Sequence, residues 1–462
     1  MVAKIVVENH QESGKTWPQY LAVLSALFAI FNSGIHFGWP SPSVPKILSE
    51  EYVFNVTVEE ASYITIIGPV GDLFGSIIYP AIVDRIGRKN TILLIAVPQI
   101  LSMTMIYLSF YSKILLYAAR FTGGLAEAAC FTIIPLYIGE VCEPRIRGRL
   151  GSLFSTVLTV GMLAVNVVGS YLNMHTAALI FATLPVLFLI IFSQMPESPS
   201  YLIMKSKVVE AEDCLRKLRR KENVDDELKI LMNDVNRQMS EPGRYRDLYT
   251  IKSNRLACVV MFTLRIIQQF SGVSAFALYM QVLFDKSTTI LPKETASITI
   301  CIIQLISNLT GVLVVDRTGR KPLLVLSCIG CSLTLFFEAI YFTLQDYTVV
   351  EVSNFDYLPL VGIVVFTVTF TVGLGNVVNL MIGEMFSSSI KAKASCLMNV
   401  IFAITMTFGT KFFQYTSDTI SMCVPFYVYG ICQVLGAVFC VVYVPETKGK
   451  TLEEIQLKLK EK

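Results

Sequence analysis

Seven carboxamide side chains stand inside stretches too apolar to suit them: Gln268 and Gln269, Gln304 and Asn308, Asn376 and Asn379, and Asn399. A carboxamide donates and accepts hydrogen bonds at once. Inside an apolar helix it is tolerated only where a neighbouring helix or a polar cavity satisfies it. Any one of these reads equally well as a helix–helix bond, but several in one half of the chain point to a cavity that grips a hydrogen-bonding solute. A second set is ionic and repeats. Asp84-Arg-Ile-Gly-Arg-Lys89 recurs as Asp316-Arg-Thr-Gly-Arg-Lys321, 232 residues on. Glu140 with Arg147 recurs as Glu384 with Lys391 after 244 residues, and Pro196-Glu-Ser-Pro199 recurs as Pro445-Glu-Thr-Lys448 after 249. Gly87 and Gly319 permit tight turns, and Asp84 and Asp316 can cap the next helix or pair with arginine. Arg85, Arg88, Arg147, Arg317, Arg320 and Lys391 with Glu140 and Glu384 are therefore candidates for ion pairs that form and break between two states. They either bridge the two repeats or brace each one internally. Solvated basic loops are the plainer alternative.

The elements that must position these groups follow from composition. Of 462 residues only 16% are charged, and the mean hydropathy is +0.59. A soluble protein of this length needs more charged surface than that. Net charge is +3, which gives no basis for nucleic-acid binding. The eleven cysteines form no disulfide framework, and Cys328-x-x-Cys331 in an apolar run reads as packing. No P-loop, dinucleotide fingerprint, HExxH or nucleophile elbow occurs, so neither an enzyme nor a nucleotide-driven pump is expected, and no cofactor or metal. Residues 1–18 are polar and carry no signal-peptide pattern.

Runs of about 20 apolar residues cross a bilayer. They lie near 20–38, 60–82, 91–110, 114–137, 150–171, 176–194, 256–284, 295–315, 322–344, 357–382, 394–415 and 422–444. The fold class is thus an all-α membrane protein with twelve transmembrane helices in two pseudo-symmetric six-helix bundles and a cytoplasmic helical linker. Lys and Arg concentrate in the 2–3, 4–5, 8–9 and 10–11 loops and the tail, which puts both termini in the cytoplasm. The expected divisions are an N-terminus at 1–19, bundles at 20–194 and 256–444, a linker of short amphipathic helices at 195–255, and a tail at 445–462. Asn55-Val-Thr57, in the first outer loop, is a glycosylation acceptor. Asn308-Leu-Thr310 lies within a span and is expected to stay unmodified.

Taken together, the two D-R-x-G-R-K turns, Arg120 opening span 4, Pro135-x-Tyr137-x-x-Glu140 with Arg147-Gly148, Pro196-Glu-Ser-Pro199, Gln268-Gln269-Phe-Ser-Gly272 and Pro445-Glu-Thr-Lys-Gly-Lys450 carry a resemblance. The chain resembles the sugar porter family of the major facilitator superfamily over nearly its whole length. Gly38-Trp-Pro-Ser-Pro42 and Lys411 are most similar to its insect facilitated trehalose transporter branch. The resemblance implies the major facilitator fold and uniport of a sugar such as trehalose or a hexose across the cell membrane. It also implies a monomer with membrane lipid around it. By the same resemblance Gln268, Gln269 and Asn399 bind substrate, with Ser274 and Gln304 where the family usually has Asn. Span 10 departs: the family's prolines, which break the helix near the site, are replaced in Gly373-Leu-Gly-Asn376-Val-Val-Asn379, and Asn379 takes the place of its Trp. Ser155 stands at a family Gln, and Arg120 is expected to anchor the cytoplasmic end of span 4 in a structural or gating ion pair. Asn32 replaces the Asp of proton-coupled relatives, and an amide cannot titrate. Asp72 and Glu127, deep in spans 2 and 4, keep a proton-coupled symporter as the alternative. Glu338 and Arg265 are similarly deep. A non-transporting sugar receptor is the rival of another class.

Overall fold

The computed structural model describes residues 15–50, 52–240, 244–286, 291–347, 357–386, 388–450 and 454–455. The side chain of Asp316 and most of the expected tail beyond Lys450 lie outside the described residues.

In lipid the backbone must satisfy its own hydrogen bonds, and each apolar run does so as a helix. The first half comprises α1 (Trp17–Gly38), continued by α2 (Pro40–Leu48), then α3 (Val58–Ile86), α4 (Arg88–Tyr107), α5 (Ile114–Val141), α6 (Pro144–Tyr171) and α7 (Met174–Ser193). Short helices follow: α8 (Pro199–Met204), α9 (Val208–Arg219), α10 (Asp225–Ser240) and α11 (Asp247–Thr250). The second half comprises α12 (Lys252–Gln269) running into α13 (Val273–Lys286), then α14 (Lys293–Thr318), α15 (Arg320–Tyr347), α16 (Leu358–Phe370), α17 (Asn376–Met385), α18 (Ser388–Thr419) and α19 (Cys423–Tyr443). Among the described residues twelve helical stretches are long and apolar enough to span, matching the twelve expected runs.

Small residues set the tightest pairings, as expected where lipid offers no hydrophobic drive. A Cβ on Gly71 would stand 2.2 Å from the Phe121 carbonyl oxygen, and one on Gly124 only 1.9 Å from that of Gly68. Thus α3 and α5 touch backbone to backbone. Gly34 and Gly161 bring α1 against α6 in the same way.

The turns at Gly87 and Gly319 share φ +97°, a conformation that glycine adopts without strain. They define one end of the molecule, the basic face. α9 and α10 lie there and are not a detached linker. Ala211, Leu215, Leu218 and Leu228 join the core of the first half, and Arg219 Nη1 donates to the Val141 carbonyl at 2.9 Å. α11 instead packs on the second half through Leu248.

Candidate functional site

At the basic face each half builds the same ionic device. Arg88 grips Glu140 with two bonds of 2.9 Å and meets Asp84 at 3.2 Å. Arg320 grips Glu384 at 2.9 and 3.2 Å. Ser198 donates to Glu140, and Thr447 donates to Glu384 at 2.5 Å. The glutamates of the two Pro-Glu motifs cap helices. Glu197 accepts from the backbone N–H groups of Arg88 and Lys89 at 3.0 and 2.9 Å, and Glu446 accepts from those of Arg320 and Lys321, both at 3.0 Å. A carboxylate there meets the positive end of the helix dipole. The caps were visible in the sequence as a repeat, but their role was not, because partners over a hundred residues away close only in the fold.

Among the described residues these ion pairs brace each half and do not bridge them. Arg85 and Arg317 are exposed, and Arg147 donates to the Cys142 carbonyl at 3.1 Å. Lys391 is held below the ordinary lysine pKa by burial and by the facing charge of Arg147, against the pull of Glu384. Like charges therefore oppose each other across the halves at this face.

Bonds between the halves lie deeper. Asn308 donates to Thr159 at 2.9 Å, Asn399 to Thr132 at 3.5 Å, and Cys396 to the Ser76 carbonyl at 3.2 Å. Toward the opposite face Gln281 donates to Ser170 and Lys411 to Ser62, both at 2.8 Å. Asn308, the second glycosylation pattern, is buried, whereas Asn55 is exposed just before α3.

The expected binding amides are partly engaged within the chain. Gln268 Nε2 donates to the Leu374 carbonyl at 3.0 Å, and its oxygen accepts from Arg265 at 2.8 Å. Ser274 donates to Gln269 at 2.6 Å. Gln304 is half-buried on α14, and Asn379 is exposed, donating to the Gly375 carbonyl one turn back at 3.1 Å. The prolines of span 10 are absent, yet the helix is interrupted. Thr371–Gly375 forms a π-helical turn between α16 and α17. Such turns occur often at functional sites. Gly373 lets it press on Ser327, where a Cβ would meet the serine Cβ at 2.2 Å. Ser327 accepts from the Leu374 N–H at 3.1 Å while Gln268 takes the Leu374 carbonyl.

Arg120 is not at the basic face. α5 begins at the opposite face, so its sixth and seventh residues remain near that end. Arg120 Nη1 donates to the His36 carbonyl at 2.7 Å and the guanidinium lies 5.6 Å from the Trp39 ring. Asn32 is buried and donates to Gln99 at 3.5 Å. Asp72, Glu127 and Arg265 are buried near the middle of their spans. Glu338 is buried apart from them in α15, where a Cβ on Gly362 would meet its carboxylate. No cluster of metal-ligating groups occurs among the described residues.

The chain is similar to known proteins over nearly its whole length. A family model described as "Sugar (and other) transporter" matches residues 11–459. The facilitated trehalose transporter Tret1 of Bombyx mori is 31% identical over 446 residues, covering 96% of this chain and 87% of that protein. Trehalose transporter 1 of Drosophila melanogaster is 32% identical over 449 residues, 96% of this chain and 52% of its own length. The chain therefore spans about half the length of that relative. Among solved structures, the inward open conformation of the xylose transporter XylE from E. coli aligns with a TM-score of 0.77 at 22% identity, covering 95% of this chain and 99% of that one. XylE described as a proton:xylose symporter, bound to 6-bromo-6-deoxy-D-glucose, aligns at 0.75 and 22% identity, with the same coverage.

Proposed function

The chain belongs to the sugar (and other) transporter family, and on that premise we propose that it carries a sugar such as trehalose or a hexose down its gradient by alternating access. The observation that carries this reading is where the halves hold each other. Hydrogen bonds from asparagine side chains join them at mid-depth, while the strong ion pairs of the basic face stay inside each half. Two braced bundles that meet at a polar middle can rock about a central site.

The basic face is cytoplasmic in this proposal, the opposite face external, and Asn55 is glycosylated there. The protein resides in the cell membrane as a monomer. Gln268, Gln269, Ser274, Gln304, Asn379 and Asn399 form the substrate site, with Gln268 and Gln269 trading internal partners for substrate hydroxyls. Purified protein in proteoliposomes, preloaded with unlabelled trehalose or glucose, should show counterflow of the labelled sugar. Absence of counterflow for every sugar tried would defeat the reading. One observation favours proton-coupled symport instead: Asp72 and Glu127 are titratable groups buried at mid-depth. Against it, the position of Asn32 is filled by an amide bound to another amide.

A further inference from the structure

Among the buried polar atoms without a hydrogen-bond partner among the described residues are two charged-group atoms near mid-span, one from each half: Glu127 Oε1 on α5 and Arg265 Nε on α12. Neither position belongs to the amide set, and Arg265 adjoins it. Arg265 already holds Gln268 through Nη1. Its guanidinium lies 5.2 Å from the Phe402 ring of α18, which meets Phe131 of α5 at 6.5 Å. Phe131 is one turn along from Glu127, and its neighbour Thr132 accepts from Asn399. An orphaned acceptor of the first half and an orphaned donor of the second thus flank the seam where the halves touch. A buried donor or acceptor left without a partner is costly, so a ligand that satisfies both is recognised strongly.

Hydrogen-bonding character decides which ligand: it must offer a donor to Glu127 and an acceptor to Arg265. Resting on the sugar-transport reading, we propose that Glu127 and Arg265 are substrate-specificity residues that accept from and donate to neighbouring hydroxyls of one neutral polyhydroxylated ligand, bridging the two halves. Neighbouring hydroxyls of a sugar present both a donor and an acceptor, which a mixed pair of this kind requires.

The test is counterflow in proteoliposomes with glucose, trehalose, glucuronate and glucosamine, for the wild type, Glu127→Gln and Arg265→Gln, with size-exclusion profiles as the folding control. Wild type should exchange the neutral sugars at least tenfold faster than either charged one. Each variant should raise the KM for the neutral sugar at least tenfold. Their selectivities should part in opposite directions, glucuronate gaining in Glu127→Gln and glucosamine in Arg265→Gln. A purely structural role predicts no such opposed shift. Folded variants with wild-type KM and selectivity would overturn the assignment while leaving sugar transport intact. Should the variants fail to fold, the wild-type panel decides, since glucuronate or glucosamine exchanging as fast as glucose overturns the neutral ligand. A wild type that exchanges no sugar defeats the transport reading itself, and this assignment with it.

Discussion

Arg88 and Glu140 meet with side chains 5% and 14% exposed, whereas Arg320 and Glu384 meet with 12% and 24% exposed. The motif and its turn geometry are the same in both halves; the cover is not. α8 to α10 fold over the first device and join its core. The caps register the difference. Glu197 is pushed above the ordinary glutamate pKa by desolvation, which outweighs its bonds from the N–H groups of Lys89, Ser198 and Arg88. Glu446 is also desolvated, yet its backbone bonds prevail and hold it below that value. Duplicated sequence therefore fixes partners, while later packing sets how tightly they are bound. One half has become the firmer brace.

The largest test breaks each brace in turn. Removing one partner of a buried pair costs about 3–5 kcal/mol through the charge left behind. Arg88→Ala should lower the Tm in detergent markedly, and Arg320→Ala should lower it less. Equal losses would erase the asymmetry. Next in size is Gln268→Ala, which removes the clamp on the π turn and a group expected to meet substrate. A loss of about 1–3 kcal/mol appears as a roughly 5- to 150-fold rise in Kd or KM, read by equilibrium binding and counterflow at matched protein.

The caps sharpen the comparison through pH. A depressed carboxylate stabilises the fold above its ordinary value of 4.5, and that contribution fades as pH falls through the folded value. Glu446→Gln should therefore cost stability at pH 7, of the order of 1 kcal/mol, and progressively less on acidification below pH 4.5. Glu197 has the opposite sign: its ionised form is disfavoured in the fold, so stability declines as pH rises through the window above 4.5. Glu197→Gln should then be neutral or stabilising at pH 7. Thermal unfolding of both variants from pH 3 to 7 checks the crossing signs. The smallest effect is Asn308→Ala, which removes one bond between the halves worth about 0.6 kcal/mol. It should shift cysteine accessibility at the opposite face by less than threefold and leave each half's own stability unchanged.

The twelve spans were legible because lipid forces every crossing run to be apolar and helical. The repeat was legible because charges are rare enough in this chain for their order to stand out. Long-range closure was not. Arg88 and Glu140 could have paired within a half or across halves, and only the fold separates the two. Arg120 sits at the opposite end of its span from the expected one, because α5 runs from that face toward the basic one. Prolines are one way to interrupt a helix, and their absence concealed the π turn that Gly373 permits and Gln268 and Ser327 hold. Gln268 itself was expected at the site, but its bond to that turn depends on a residue 106 positions away.

Downhill transport of a neutral sugar leaves its mark in the accumulation ratio. Proteoliposomes with an imposed inward proton gradient are given labelled trehalose or glucose until uptake is constant. The internal concentration should equal the external one, unchanged by a protonophore. Accumulation above the external concentration that collapses with the protonophore would contradict it and make Asp72 and Glu127 the carriers of the coupled proton.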